Sequence, residues 1–402
     1  MQPLCIKCFG KGLCGRKTCP ILSKLNIQKK VSFKKDFVGE SPNIFVGRHG
    51  YPDLNVGILA TDNYEHNDDP KFWVENRFSI GDIMEKRVSL VNSSFKTSVR
   101  SYKDKFLDVA KEISLSTKEA DVEINLDDKP RFRVSFNNDV LPNGPRQDLV
   151  KASLTSNPKI PTAVDKVVSD TDFKATEAIT SLHNKGFNEY YLTKAFSLGN
   201  LGTMPQRKIV PTRWSITATD DIIGKDIISK VKDFPENDSF IAYFGGLSGN
   251  YYLIMLLPGE FSYELFETYL PDSVWNSSSD VSFSTDSEDF FGRKGYANNT
   301  VGGYYAARLP VARKLLDMKR QGKALLLRFI TPDYYAPLGV WYCRESVNDA
   351  LSKRPIEFSS KELMLVYAAN LVRKKFKYDI KDIVRVSRIL SESQTKLSKF
   401  MA

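Results

Sequence analysis

Twenty consecutive residues, Phe240 to Gly259, carry no charged side chain, in a chain of 402 residues of which 26% are Asp, Glu, Lys or Arg. A run of that length either spans a membrane or supplies the interior of a sheet. A spanning helix needs about 20 apolar residues free of breakers. Here Gly245-Gly246-Leu247-Ser248-Gly249-Asn250 stands in the middle and Pro258 closes the run. Two apolar strands, Phe240–Phe244 and Tyr251–Leu257, joined by a Gly/Asn turn suit the same residues better. The chain is therefore expected to build a buried hairpin and to have no membrane partner. Its start, Met1-Gln2-Pro3-Leu4-Cys5, lacks the apolar core of roughly 7–15 residues found in a signal peptide. A cytoplasmic location is expected.

At roughly 150 residues per domain, the length predicts two or three domains. The 25 Phe, 18 Tyr and 4 Trp exclude wholesale disorder, and five Cys are too few for a secreted disulfide scaffold. The net charge of +10 is unevenly spread. Residues 1–35 hold nine Lys/Arg and no acid, residues 351–402 hold twelve against five acids, and the stretch between is net negative. Two basic ends on an acidic body point to a polyanion partner, nucleic acid before membrane.

Four of the five Cys fall within fifteen residues: Cys5, Cys8, Cys14 and Cys19, spaced C-x2-C-x5-C-x4-C. Four thiolates brought within about 2.3 Å of one point suit a tetrahedral structural zinc. Gly10, Gly12 and Gly15 supply the sharp turns, and Lys7, Lys11, Arg16 and Lys17 offset the thiolate charge. An iron–sulfur cluster is the alternative, and a cytoplasmic setting argues against disulfides.

Along the body, Phe45-Val46-Gly47-Arg48-His49-Gly50-Tyr51-Pro52 is an apolar strand running into a turn. Residues 80–113 read as mostly helical, and the five prolines of 125–165 predict extended or looped chain. Asp170, Thr171 and Asp172 cap a helix with the stripe Phe173, Ala175, Ala178, Ile179 and Leu182, ended by Gly186. In Gln206–Thr217, Arg207, Lys208 and Arg213 suit phosphates and Trp214 suits a base. The alternative there is a strand with a core Trp214 and solvent-facing cations. Asp220-Asp221 is expected to open the next helix. Residues 272–289, rich in Ser and Asp, read as an inserted mobile loop. Pro310 should kink or restart the helix after Gly302-Gly303. A strand is expected at Ala324–Ile330, and Cys343 is expected as a buried small hydrophobe. No phosphate-binding loop G-x-x-x-x-G-K-[ST], no H-E-x-x-H, and only His49, His66 and His183 occur. No catalytic motif is recognisable, which leaves catalysis open.

Several blocks together resemble the archaeal Nre family of DNA-repair proteins, of the NreA/NreB type. They are Cys5-x2-Cys8 through Cys14-Gly15-Arg16 to Cys19-Pro20, then Phe45–Arg48 with Gly50-Tyr51-Pro52, and Arg207–Ala218 with Asp220-Asp221. Gly302–Leu309, Pro337–Trp341 with Arg344-Glu345, and the C-terminal tail complete the set. The resemblance implies a DNA-repair factor with a zinc-type N-terminal module and a tail that binds the PCNA sliding clamp. Gln394-Thr395-Lys396-Leu397-Ser398-Lys399-Phe400 fits the family's Q-x-x-h-x-x-F clamp pattern. One tight turn sets Leu397 and Phe400 side by side as an apolar plug, with Gln394 beside it. Met401 stands where the pattern prefers a second aromatic. Asp379–Ser391 is expected as one helix leading to the plug, with Ile380, Ile383, Val384 and Leu390 facing the body.

The expected fold class is α+β: a four-cysteine zinc knuckle and basic arm (1–35), a central mixed α/β domain (36–271), a C-terminal α/β region ending in helices (290–392), and a clamp-binding tail (393–402). The expected function is a DNA-binding repair factor recruited to PCNA. The alternative is a nuclease or nucleotide-dependent transferase whose site would gather Arg48, Arg213, Asp220, Asp221, Arg308 and Glu345. A passive scaffold is the third class.

Overall fold

The computed structural model describes Cys19 and residues 26–27, 31–101, 104–132, 144–276 and 278–391. They fall into two compact units, one running to Ile223 with Tyr335–Trp341 added, the other Gly224–Tyr334 with the chain from Tyr342 onward.

The first unit is built on a closed five-stranded barrel. Its elements are β1 (Asp36–Val46), β2 (Asp53–Thr61), α1 (Pro70–Glu75), α2 (Ile80–Val88), β3 (Val91–Ser98), α3 (Lys105–Leu115), β4 (Ala120–Leu126) and β5 (Arg146–Leu154). Helices α4 (Thr162–Ser169), α5 (Ala175–Asn184), α6 (Glu189–Ser197) and α7 (Thr212–Val231) follow, and the unit boundary falls inside α7. The period of two along β2 points Leu54, Val56, Ile58 and Ala60 into the barrel and leaves Asp53, Asn55 and Gly57 outside. In β3, Phe95 points in, while Ser94 and Lys96 point out. The long β1 pairs with both β2 and β4, and its register shifts between Glu40 and Asn43, the bend that closes the barrel. Helix α3, capped by Asp104 on the Phe106 and Leu107 amides, packs Leu107, Ala110 and Ile113 against the barrel core. The strand order β1-β2-β3-β5-β4, with β3 and β5 parallel and a helix between β3 and β4, is the connectivity of an OB-type barrel.

The second unit is a six-stranded mixed sheet carrying helices. In chain order it comprises β6 (Phe240–Leu247), β7 (Asn250–Leu257), β8 (Ser262–Tyr269), β9 (Ser282–Glu288), α8 (Val301–Met318), β10 (Lys323–Ile330), α9 (Trp341–Ser352), β11 (Ile356–Phe358), α10 (Lys361–Phe376), α11 (Lys381–Val386) and α12 (Arg388–Ser391). The spatial order is β11-β6-β7-β10-β8-β9. Strand β10 lies antiparallel to β7 and parallel to β8. Its apolar run Ala324–Leu327 is continuous because both faces of a central strand are covered. On one face Leu253, Met255, Phe266, Leu325, Leu327 and Phe329 pack against Met364, Ala368 and Val372 of α10.

The mixed α+β class is as expected, and the uncharged run is the β6–β7 hairpin, turning on Ser248 (φ 35°) and Gly249 (φ 84°). Among the described residues no helix is long and apolar enough to cross a membrane. Five local expectations are corrected. Residues 91–98 form β3 and not helix, because Val91 and Phe95 face the barrel core within a period of two. The helix expected to open at Asp220 begins at Thr212, just after Pro211, and Asp220 is buried within it. Seven of the eighteen residues of the expected 272–289 loop form the edge strand β9, whose Ser and Asp residues suit a strand paired on one side only. Helix α8 runs through Pro310 without a break, because every residue from Gly302 to Ala312 is buried and packing holds the helix. The expected helix 379–391 is two helices, parted at Ser387, whose hydroxyl donates to Glu264 at 2.6 Å.

Candidate nucleic-acid interface

One end of the barrel brings the exposed rings of Tyr51 and Trp214 together with exposed arginines. The β1–β2 loop is a tight turn. Gly47 donates its amide to the Asn55 carbonyl at 2.8 Å, and Asp53 donates to the Gly50 carbonyl at 2.9 Å. Gly50 has φ 88°, a conformation that favours glycine. The loop so held exposes Arg48, His49 and Tyr51.

The start of α7 is fastened beside it. Ile209 belongs to the barrel core, and its amide donates to the carbonyl of Val99 at 2.9 Å. Val99 in turn donates to the carbonyl of Pro52. The Val46 amide, at the end of β1, donates to the Thr212 hydroxyl at 2.8 Å. The end of β1 thus holds Thr212, the chain after β3 holds Ile209 just before the helix, and α7 so placed projects Arg213 and Trp214 outward. Trp214 is 48% exposed and Tyr51 is 52% exposed, with ring centroids 6.3 Å apart. Large aromatics left in water beside one another are uncommon on a folded surface and signal a partner. Exposed Arg100 follows Val99 at the same end. The positive end of the α7 dipole adds to the field of Arg48, Arg100 and Arg213.

The outer face of β2, β3 and β5 continues this surface. Arg146 donates to the Ser94 hydroxyl and to the Asn55 side chain, both at 2.8 Å, and lies 3.6 Å from Asp148. Lys96 is exposed opposite Asn55 in the β2–β3 register. Gly57 has no side chain on this face, where a Cβ would collide with the Asn92 amide group.

The cations expected to act together divide in role. Arg207 donates from Nε to the Gly202 carbonyl at 2.7 Å, and from one terminal nitrogen to those of Val168 (2.8 Å) and Asp170 (3.0 Å). Its guanidinium is spent on tying the C-terminal end of α4 to the loop at Gly202, and burial lowers its pKa. Lys208 and Arg213 are exposed. Trp214 is neither a core residue nor in a strand, which corrects those two parts of the alternative reading, while its solvent-facing cations hold for Lys208 and Arg213. Tyr51, Lys96, Arg100 and Arg146 were given no role from sequence. The outward period of Ser94, Lys96 and Ser98 would have marked the face had β3 been recognised.

Comparison with known proteins agrees with the resemblance. Residues 13–276 match the family model for the archaeal Nre N-terminal region, and residues 288–400 match that for the archaeal Nre C-terminal region. The chain belongs to the archaeal Nre family. It is 37% identical to DNA repair protein NreB of Archaeoglobus fulgidus, over 89% of this chain and 90% of that one. It is 37% identical to DNA repair protein NreA of the same organism (92% and 94%) and 38% identical to DNA repair protein NreA of Haloferax volcanii (78% and 77%). No solved structure matches the chain.

In this Nre chain the other residues considered for a reaction site are distributed as follows. Arg48 and Arg213 lie at the barrel end, and Asp220 and Asp221 lie further along α7. Arg308 and Glu345 belong to the second unit, where they are buried in an ionic lattice. One terminal nitrogen of Arg308 donates to both carboxylate oxygens of Glu288 at 2.9 Å. Arg328 pairs with Glu267 and donates to the Asn250 side chain at 2.6 Å, and Asn250 donates to Ser346 at 2.9 Å. Glu345 lies 3.7 Å from Arg344 and accepts from Asn348 at 3.0 Å. Charges this deep hold their neutralising partners. Cys343 is buried, and burial pushes its thiol up. Among the described residues no three His, Cys, Asp or Glu side chains converge to hold a metal ion. Cys5, Cys8 and Cys14, the arm cations Lys7, Lys11, Arg16 and Lys17, and the tail residues Gln394, Leu397 and Phe400 lie outside the described residues. Cys19 is described and half-buried.

Proposed function

We propose that this chain is a DNA-repair factor that binds DNA through the OB-type barrel and is recruited to the PCNA sliding clamp by its C-terminal tail. The observation that carries DNA binding is the pairing of exposed Tyr51 and Trp214 with Arg48, Arg100 and Arg213 on the β1–β2 loop side of the barrel. OB barrels bind oligonucleotides on strands 2–3 and the loops flanking them, combining aromatic platforms with cations along the backbone. The relatives' designation as DNA repair proteins supplies the context. Basic residues 1–35 add phosphate contacts, and Cys5, Cys8, Cys14 and Cys19 are proposed to fold that arm around one zinc, which metal analysis of the purified chain would count. At the tail, Gln394, Leu397 and Phe400 form the proposed clamp plug.

The test is DNA binding by the full chain across a salt series. Trp214→Ala and Arg213→Ala should each weaken binding about tenfold with the fold intact, and Arg213→Ala should flatten the salt slope by roughly one phosphate. Arg207→Ala should instead lower thermal stability. DNA binding by Trp214→Ala and Arg213→Ala equal to wild type would overturn the barrel assignment. Calorimetry with the clamp checks the tail: Phe400→Ala should lose heat that the wild type shows.

A further inference from the structure

Among the described residues of the second unit, Phe291 is the most exposed large apolar side chain, at 92%. It sits on a turn that its neighbours make rigid. The Phe291 amide donates to the Asp289 carboxylate at 2.9 Å, and Gly292, at φ 78°, donates to the Asp289 carbonyl at 3.0 Å. Arg293 anchors the base of the turn. Its guanidinium lies 3.1 Å from Asp286 and donates to the carbonyls of Ser287 at 2.9 Å and Tyr296 at 3.1 Å. The adjacent Phe290 is tucked inward, with the Lys232 ammonium 4.9 Å from its ring centroid. Two neighbouring phenylalanines are thus treated oppositely by a turn that holds the second one out.

The same turn borders a cavity of 280 Å³, to which it contributes Asp289, Gly292, Arg293 and Lys294 and which Glu288, Ser262 and Arg388 complete. That is just under the size range of drug-sized ligand pockets, about 300–1,000 Å³, and suits a single sugar-phosphate. The Ser262 hydroxyl is buried, with the residue 6% exposed, and has no hydrogen-bond partner among the described residues. A buried hydroxyl normally finds one. Lys294 and Arg388 are exposed cations at the rim. Of the acids at the cavity, Glu288 is neutralised by Arg308, which leaves Asp289 against the two free-standing cations.

We infer that the Phe290–Gly295 turn and this cavity form a second DNA contact, which takes one unpaired nucleotide: its base on the Phe291 ring, its phosphate on Lys294 and Arg388 with the Ser262 hydroxyl donating. An exposed aromatic on the turn that borders a cation-rimmed polar cavity suits a nucleotide, and a peptide ligand would want an apolar groove in that place. The inference rests on the DNA-binding reading above, and a separate set of variants tests it.

The probe is a single-stranded oligonucleotide carrying one 2-aminopurine, with a duplex of the same sequence as control, bound to the full-length chain. Stacking quenches 2-aminopurine. Phe291→Ala should abolish most of the quench and weaken single-strand binding about tenfold, with duplex binding changed less than twofold. Phe291→Trp should restore both, and Lys294→Glu with Arg388→Glu should lower affinity without unfolding the chain. Wild-type quench and affinity in Phe291→Ala would overturn the inference and leave the barrel assignment standing, since Trp214→Ala would still lose binding. Retention of no DNA by the wild-type chain would overturn both.

Discussion

Lys194, a half-buried lysine, shows how the enclosure of one ammonium ties stability to pH. It stands on α6, and its ammonium donates to the carbonyls of Ser116 (3.0 Å) and Pro42 (3.3 Å). Desolvation is the main effect and lowers its pKa to about 8, with Asp68 and Glu119 opposing. Below pH 8 the folded and unfolded chains both hold the proton, so the folded chain bears the cost of a buried charge. Between about 8 and 10.5 the unfolded chain binds more protons, and stability rises with pH. The window is worth of order 3 kcal/mol, at about 1.4 kcal/mol per pH unit. Lys194→Met should remove this rise, and urea titrations of both proteins between pH 7 and 10 check it. A parallel pH dependence in the two would refute the assignment. Tyr191, raised by burial, works the other way above pH 10 and does so in both proteins. None of this was visible in sequence, because a lysine carries no mark of what will enclose it. The exposed cations were easier. Arg213 and Trp214 stood out as a block, yet Arg207, equally basic on paper, is held by three carbonyls.

Elements were legible where local chemistry and burial agree. The β6–β7 hairpin combines apolar strands with a Ser-Gly turn, and the turn forms with both central φ angles positive, the geometry that matches strand twist. Gly249 also lies so near the Tyr334 backbone that a Cβ would collide with it. Gly249→Ala should therefore destabilise by about 2–4 kcal/mol, read as a lowered urea midpoint with an unchanged slope. A shift under about 0.5 kcal/mol would mean that the turn gives way freely. Elements were illegible where tertiary packing overrides local signal. Pro310 predicts a broken helix, but α8 is buried along a dozen residues and remains whole. The outward Ser and Lys of β3 resemble a helix surface until the inward Phe95 is given a barrel to face. The OB connectivity was beyond sequence altogether, because it depends on β1 meeting β4 across more than seventy residues.

At the scale of the molecule, the family's two sequence regions and the compact units do not coincide. The N-terminal match ends at residue 276, after β6, β7 and β8, yet those strands share a sheet with β10 and β11 of the C-terminal match. A fragment 288–402 would hold β10 with neither of its neighbours, and both faces of that strand are apolar. We expect this fragment to aggregate on expression. A fragment that is monomeric and cooperative in thermal unfolding would show that the sheet is not a single unit. The cations of the barrel lie in the net-acidic middle of the chain, where a segment average conceals them.

The sheet order also dictates a delay during synthesis. The β6–β7 hairpin is complete once Leu257 has been made, and β8–β9 once Glu288 has, but β10 must enter between them and ends at Ile330. At about 5–20 residues per second, the growing chain holds two hairpins with open apolar edges for several seconds. Those edges are the pairing templates that neighbouring nascent chains on one message would find first. Ribosome-bound chains stalled between β9 and β10 should therefore recruit holdase chaperones, and chains released through β10 should shed them. Equal chaperone occupancy at both lengths would show that the hairpins protect themselves.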